Sequence, residues 1–253
     1  MNRRTVSARL IVASIAGLSV GSIAAAQSGA PAAVVDIAFD QAAVWSGVHR
    51  YRVMVQPKDS AQRDGGTWIV SQQSERQRGR AVVRRAITYR SAQGMQRDTI
   101  LFDRQTLAPI WQHWDLGSAR LSVQFDGRRV SGTVTPRDSA ARTMAHQLDT
   151  PVFIGAYGEL VVQALPLATG YHIILPFYQY ETGTSEQDTV QVERSEQVRS
   201  ASGPRAAWVA TFRDPYLIVT YWIDRQNRQL LRWESTQRRT GAVFRMVPIA
   251  DAP

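Results

Sequence analysis

No cysteine occurs anywhere in the 253 residues. That excludes disulfide bracing, thiol redox chemistry and zinc–thiolate sites, so stability has to come from a hydrophobic core. Lysine is almost missing as well. Lys58 is the only one, and the formal net charge of +9 therefore comes from arginine. The four histidines, His49, His113, His146 and His172, show neither H-x-H nor H-E-x-x-H spacing. His113 and Asp115 would share one face of a strand but lack a third ligand, which reads as an edge histidine. No metal and no cofactor is expected. Beyond residue 26 no apolar run is long enough to span a bilayer, and no change of composition divides the chain into two domains.

The first 26 residues read as an export signal. Arg3, Arg4 and Arg9 form a basic start, Leu10 to Ile23 is apolar, and Ala24-Ala25-Ala26 supplies small residues for cleavage before Gln27. Cleavage would remove three arginines and no acid, lowering the net charge from +9 to +6. A Ser/Gly/Ala/Pro-containing flexible tail is expected over residues 27–33, and one domain over residues 34–250. The mature protein is thus expected in the periplasm or outside the cell, with no membrane-spanning segment. The arginines alternate with apolar residues, as in "VVRRAITYR", instead of forming one block. This pattern suits the solvated face of a sheet and an anionic envelope surface, and argues against a nucleic-acid partner.

What the chain has in abundance is two-residue alternation. "VHRYRVMVQ" puts His49, Tyr51, Val53 and Val55 on one face, and "RAVVRRAITYRS" opposes Val83, Ile87 and Tyr89 to Arg84, Thr88 and Arg90. "PKDSAQRDGG" reads as a polar loop ending at Gly65-Gly66. Further strands are expected over residues 67–77, 97–103, 108–115, 119–125 and 129–135. Asp126-Gly127 marks a tight hairpin between the last two. Residues 135–155 read as an irregular connection. Then "GAYGELVVQALPL" changes period: Tyr157, Leu160, Val161, Ala164 and Leu165 recur at helical spacing until Pro166 stops them. Six more strands follow, over 171–180, 189–199, 205–213, 216–224, 229–237 and 243–247.

The recurrence of Asp-Arg-Gln at Asp103 and Asp224, each between two apolar runs, raises the question of paired active-site loops. Asp opening a turn accepts hydrogen bonds from nearby backbone N–H groups, so two hairpin turns are the expectation. A G-x-S-x-G pattern at Gly17-Leu18-Ser19-Val20-Gly21 lies inside the export signal, not between strand and helix, and carries no nucleophile. Glu159 and Glu193 could stand inside the fold, which keeps a hydrolase-type carboxylate mechanism at the mouth of a barrel as a remote alternative.

The seven tryptophans carry more information. On the strand Tyr216 to Asp224 both faces are largely apolar. Such a strand is covered on both sides or lines an apolar cavity. The candidate cavity residues are Trp111, Trp114, Tyr157, Leu160, Val161, Tyr221 and Trp222, with a lipid or another hydrophobic molecule as ligand. No catalytic residue is assigned.

In their order along the chain, "DTILFDRQTLAP", "FDGRRVSGTV", "LVVQALPLATG", "AAWVATF" and "TYWIDRQNRQLLRWE" resemble a bacterial envelope domain family of unknown function, itself similar to the LolA-like and LolB-like periplasmic lipoprotein carriers. The resemblance implies a mainly β fold: an antiparallel, unclosed β-barrel wrapping one short helix, with an apolar cavity between them. It implies no catalytic residues. The arginine surplus and the lack of a lipoprotein-handling loop depart from the carriers. Together these readings point to an exported, non-enzymatic binding protein. A structural or protein-interaction domain with a filled core is the alternative.

Overall fold

Alternation becomes strand over most of the chain. The computed structural model describes residues 37–200 and 203–249. The export signal, the tail and the first residues of the expected domain lie outside them. Fourteen strands form one antiparallel sheet: β1 (Gly47–Gln56), β2 (Arg63–Gln77), β3 (Arg80–Ser91), β4 (Gly94–Asp103), β5 (Pro109–Asp115), β6 (Ala119–Asp126), β7 (Arg129–Pro136), β8 (Arg142–Gln147), β9 (His172–Gln179), β10 (Thr184–Ser200), β11 (Gly203–Arg213), β12 (Leu217–Asp224), β13 (Leu230–Gln237) and β14 (Val243–Pro248). Each strand pairs with its sequence neighbours, except that β8 and β9 do not pair with each other. Instead β1 pairs with β14, Val53 opposite Met246 and Val55 opposite Phe244, which joins the two halves of the chain. The open seam therefore falls in the middle of the sequence, and the barrel is unclosed as expected.

The connection between β8 and β9 turns inward. Phe153 makes an isolated parallel bridge with Phe177, covering the free edge of β9. A 3-10 turn, Gly155–Tyr157, then leads into the helix α1, Gly158–Ala164. Leu165 is already extended, as a residue before proline prefers. Gly158 and the run Leu160 to Ala164 are buried, so the helix is enclosed on all sides, not on one stripe. It packs within one main core together with inward residues of the wall such as Val53, Val70, Ile100, Val123, Val190 and Tyr221.

Three departures from the sequence reading have local causes. β8 lies within what reads as a loop. It is an edge strand whose best-covered residues, Met144 and His146, are only half buried, so no apolar rhythm betrays it. β10 starts at Thr184 and runs for 17 residues. Its inward positions 186 and 188 are acids, which masks the alternation. β2 starts at Arg63, because Gly65-Gly66 is a bulge within a strand: Val53 faces Gly66 while Met54 faces Asp64. Gly66 has φ +117, and a Cβ there would lie 2.0 Å from the carbonyl oxygen of Arg90. Gly66→Ala is expected to destabilise the fold by about 2 kcal/mol or more. Urea unfolding checks this, and a midpoint equal to that of the parent chain would contradict it.

Candidate functional site

The Asp-Arg-Gln repeats are turns. Asp103 Oδ1 accepts from the backbone N–H groups of Gln105 (3.0 Å) and Thr106 (2.8 Å), and Asp224 Oδ1 from Gln226 (2.7 Å) and Asn227 (3.3 Å). Each turn ends on a residue with positive φ, Leu107 or Arg228. Each aspartate also holds an arginine, Arg80 at 2.7 Å and Arg205 at 2.8 Å. Glu193 is tied to Arg213 on the surface (3.1 Å), away from the interior Glu159. His113 is exposed and Asp115 caps the turn at Gly117 (2.9 Å). Among the described residues no group of three His, Cys, Asp or Glu is placed to hold a metal ion.

The seven candidate cavity residues divide by strand parity. Trp114, Tyr157, Leu160, Val161 and Tyr221 stand together in the main core. They pack against side chains and not around an open space. Tyr157, Leu160 and Val161 have 0 % of their surface accessible, so no void that admits water touches them. Tyr157 stacks on Phe102 at 5.0 Å and donates to the carbonyl of Leu107 at 2.7 Å. Trp111 and Trp222 point outward instead. Trp111 lies under the Arg84 guanidinium at 5.7 Å. Trp222 joins Ala207 and Val209 in a second, small cluster outside the wall, with Arg232 stacked over it at 4.3 Å.

The interior also holds polar groups that alternation could have revealed. Arg85 shares a face with Val83, Ile87 and Tyr89 and is buried. Its guanidinium donates to Gln72 Oε1 at 3.0 Å and to Glu159 on α1. Gln112 donates to Asp98 Oδ2 at 2.7 Å and accepts from the Tyr180 hydroxyl. Burial lowers Arg85 to about 10 against the pull of Tyr51 and Asp98. Burial likewise pushes Asp98 up to about 7, opposed by the Gln112 hydrogen bond and the Arg85 charge. The Arg85–Glu159 contact fastens the helix to the wall, and the Asp98–Gln112–Tyr180 chain ties β4, β5 and the end of β9 together. A second acidic group, Glu186, Asp188 and Asp214, sits near the β9–β10 and β11–β12 turns. Burial, reinforced by the other two carboxylates, raises Asp188 to about 9.

One open concavity lies on the outer face of the wall. The β10–β11 hairpin runs past the end of β12, which pairs with β11 only from Ala207 onward. This overhang faces the ends of β13, β14 and β1 across a groove of about 800 Å³. That volume is within the ordinary range of ligand sites. Val48, Val198, Leu231, Val247 and Ile249 supply apolar surface, and Arg50, Arg199, Arg205, Arg232 and Arg245 supply charge, against Glu196 as the one lining acid among the described residues. Leu231 faces outward because of a bulge: Ile223 pairs with Leu230 and Trp222 with Arg232, leaving Leu231 as the extra residue. Carboxylates fix the arginines. Arg205 meets Asp224 (2.8 Å), and Glu234 holds both Arg232 (2.6 Å) and Arg245 (2.7 Å). Sequence reading missed this groove, since it joins residues from both ends of the domain.

Two outcomes follow from the interior. Arg85→Met leaves Glu159 without its cation and is expected to cost about 3 kcal/mol in urea unfolding, part of which Glu159→Gln in the same chain restores. Strictly additive losses would show that the two groups are not coupled. Asp98 holds its proton more tightly folded than unfolded, where Asp titrates near 4. Its contribution is therefore present at low pH and is lost as pH rises through 7. The melting temperature is expected to fall between pH 4 and 7, and less so in Asp98→Asn; parallel curves for the two chains would contradict the assignment.

Comparison with known proteins agrees with this architecture. A crystal structure described as a β-barrel-like protein of the domain of unknown function DUF1849 from Brucella abortus matches at TM-score 0.50 and 9% identity, over 80% of this chain and 95% of that one. An exported protein with a YmcC-like fold from Bacteroides fragilis matches at TM-score 0.32 and 10% identity, over 84% and 97%. A DUF1329 family protein from Desulfovibrio piger matches at 0.31 and 7%, over 80% and 83%. At such identities only the first supports an argument, and it concerns the fold alone. No curated protein matches the sequence. The family model for proteins of unknown function DUF3108 matches residues 48–246, most of the chain, and the chain belongs to that family.

Proposed function

We propose that this chain is an exported, non-enzymatic envelope protein, akin to the lipoprotein carriers, that binds a lipid or other amphiphile in the outer groove. The single observation that carries the reading is the composition of that groove: aliphatic side chains and guanidinium groups converge on one open volume of about 800 Å³. Such a lining suits a molecule with one greasy and one polar end. The barrel then serves as the frame. Drawing a ligand into the interior instead requires α1 to leave, exposing Leu160, Val161, Val162 and Leu165. At about 1.5–3 kcal/mol for each buried side chain, that loss is comparable to the whole stability of a domain.

The filled core favours a second reading, a protein-interaction domain whose barrel takes up no ligand. One experiment separates the two. The full chain is expressed in a bacterial host with its native start, purified without detergent, and extracted for mass spectrometry. Lipid is expected at a substantial fraction of one molecule per chain, and Val247→Arg, which places a charge on the aliphatic surface, is expected to reduce it several-fold. Lipid at the level of an unrelated exported control, from a chain that melts cooperatively, would remove the first reading and leave the second.

A further inference from the structure

Resting on the groove as ligand site, we infer that its ligand is an anionic phospholipid, held by a phosphodiester headgroup among Arg205, Arg232 and Arg245 with its acyl chain along Val198, Leu231, Val247, Val48 and Ile249.

Charge is the first argument. Among the described residues five arginines line the groove with one acid, and they still outnumber the acids five to three when Asp224 and Glu234 behind them are counted. One carboxylate ligand needs a single guanidinium fork; several forks around one volume match the oxygens of a phosphate better. The second argument is preorganisation. Arg232 is clamped between Glu234 and the face of Trp222, and Trp222 is itself fixed by donating to Glu196 Oε1 at 2.6 Å. Glu196 is held in turn by Arg194 at 2.9 Å. These guanidiniums thus spend little rotamer entropy on meeting an anion. The third argument is an unmet donor: Arg232 Nε is buried and has no acceptor among the described residues. A buried N–H without a partner is uncommon, and an anion that shifts this side chain on binding would satisfy it.

The apolar end has its own evidence. Among the described residues only four large hydrophobic side chains are well exposed, and two of them, Val48 at 44 % and Ile249 at 40 %, lie on this groove. Ile249 stands opposite Arg50, its backbone N–H donating to the Arg50 carbonyl at 2.8 Å, and Val48 is the next residue of β1 on the same face. Apolar side chains exposed next to a row of fixed cations match an acyl chain below a charged headgroup.

The test uses the full mature protein and soluble short-chain lipids in calorimetric titrations. Dihexanoyl phosphatidylglycerol is expected to bind at least tenfold more tightly than dihexanoyl phosphatidylcholine, with the difference shrinking in high salt. Arg205→Gln with Arg232→Gln is expected to abolish that difference. Equal affinity for the two lipids would overturn the headgroup inference while leaving amphiphile binding intact. Inorganic phosphate binding as tightly as the anionic lipid would overturn it too, by showing a phosphate site with no use for the acyl chain. Arginine variants that weaken both lipids alike would assign those residues to the frame and also overturn it. Binding of neither lipid would remove the underlying reading as well.

Discussion

A sheet of one layer has no second layer to cover its apolar face, and everything else in this molecule answers to that constraint. Fourteen antiparallel strands can hide their inner side chains only by curling around something. Seven residues of helix fill the centre. The pairing of β1 with β14 makes this arrangement workable, because joining the ends of the domain moves the gap to the middle of the chain. The segment crossing that gap is then the one placed to turn inward. It seals the seam as it goes: Phe153 bridges to Phe177, while Tyr178 on β9 reaches Phe125 on β6 at 5.8 Å. The turn after β9 leaves Gly183 against the ring of His146 on β8, where any side chain would collide. An edge strand shielded in this way offers little template for a second chain.

Alternation made most of this legible. Period-two runs marked thirteen of the fourteen strands, and the switch to helical spacing ending at Pro166 located the plug. What escaped was polar. β8 has no apolar rhythm because an edge strand on a mouth has little to bury. The start of β10 was hidden by Glu186 and Asp188, acids that point inward. Arg85 was the most instructive case. It sits at a core position by parity with Val83 and Ile87, but an arginine in an arginine-rich strand invites assignment to solvent. Its partners Glu159, Gln72 and, further along the wall, Asp98 come from three other elements, so no local pattern contains them.

Those interior charges add little net stability. Desolvating an ion pair offsets most of its attraction, and apolar residues of equal volume often do as well. Their effect is geometric. A short helix surrounded by aliphatic side chains can slide or rotate at small cost, whereas the Arg85 contact with Glu159 and the Gln163 contact with the Arg228 carbonyl (2.7 Å) each fix one position. Arg228 also meets Asp40 at 3.3 Å, linking the helix end to the first described turn of the chain. Polar contacts thus set the register of a plug whose packing alone leaves it loose.

The same logic explains why the concave site lies outside the barrel. Filling the centre removed the space a ligand would need there, but it also made the wall rigid enough to support features on its outer face. Irregularities in the strands build them. The bulge in β10 between Val192 and Arg194 precedes the part of the strand that runs beyond β12, and the bulge in β13 turns Leu231 out beside Arg232. Arginine suits this surface where lysine would not, since a planar guanidinium can stack on Trp222 and still present N–H groups to a carboxylate. Around the groove, Arg205, Arg232 and Arg245 are each fixed in place by an acid, and Arg232 by an aromatic face as well. Fixed cations around an aliphatic channel are a selective environment; mobile ones would only attract.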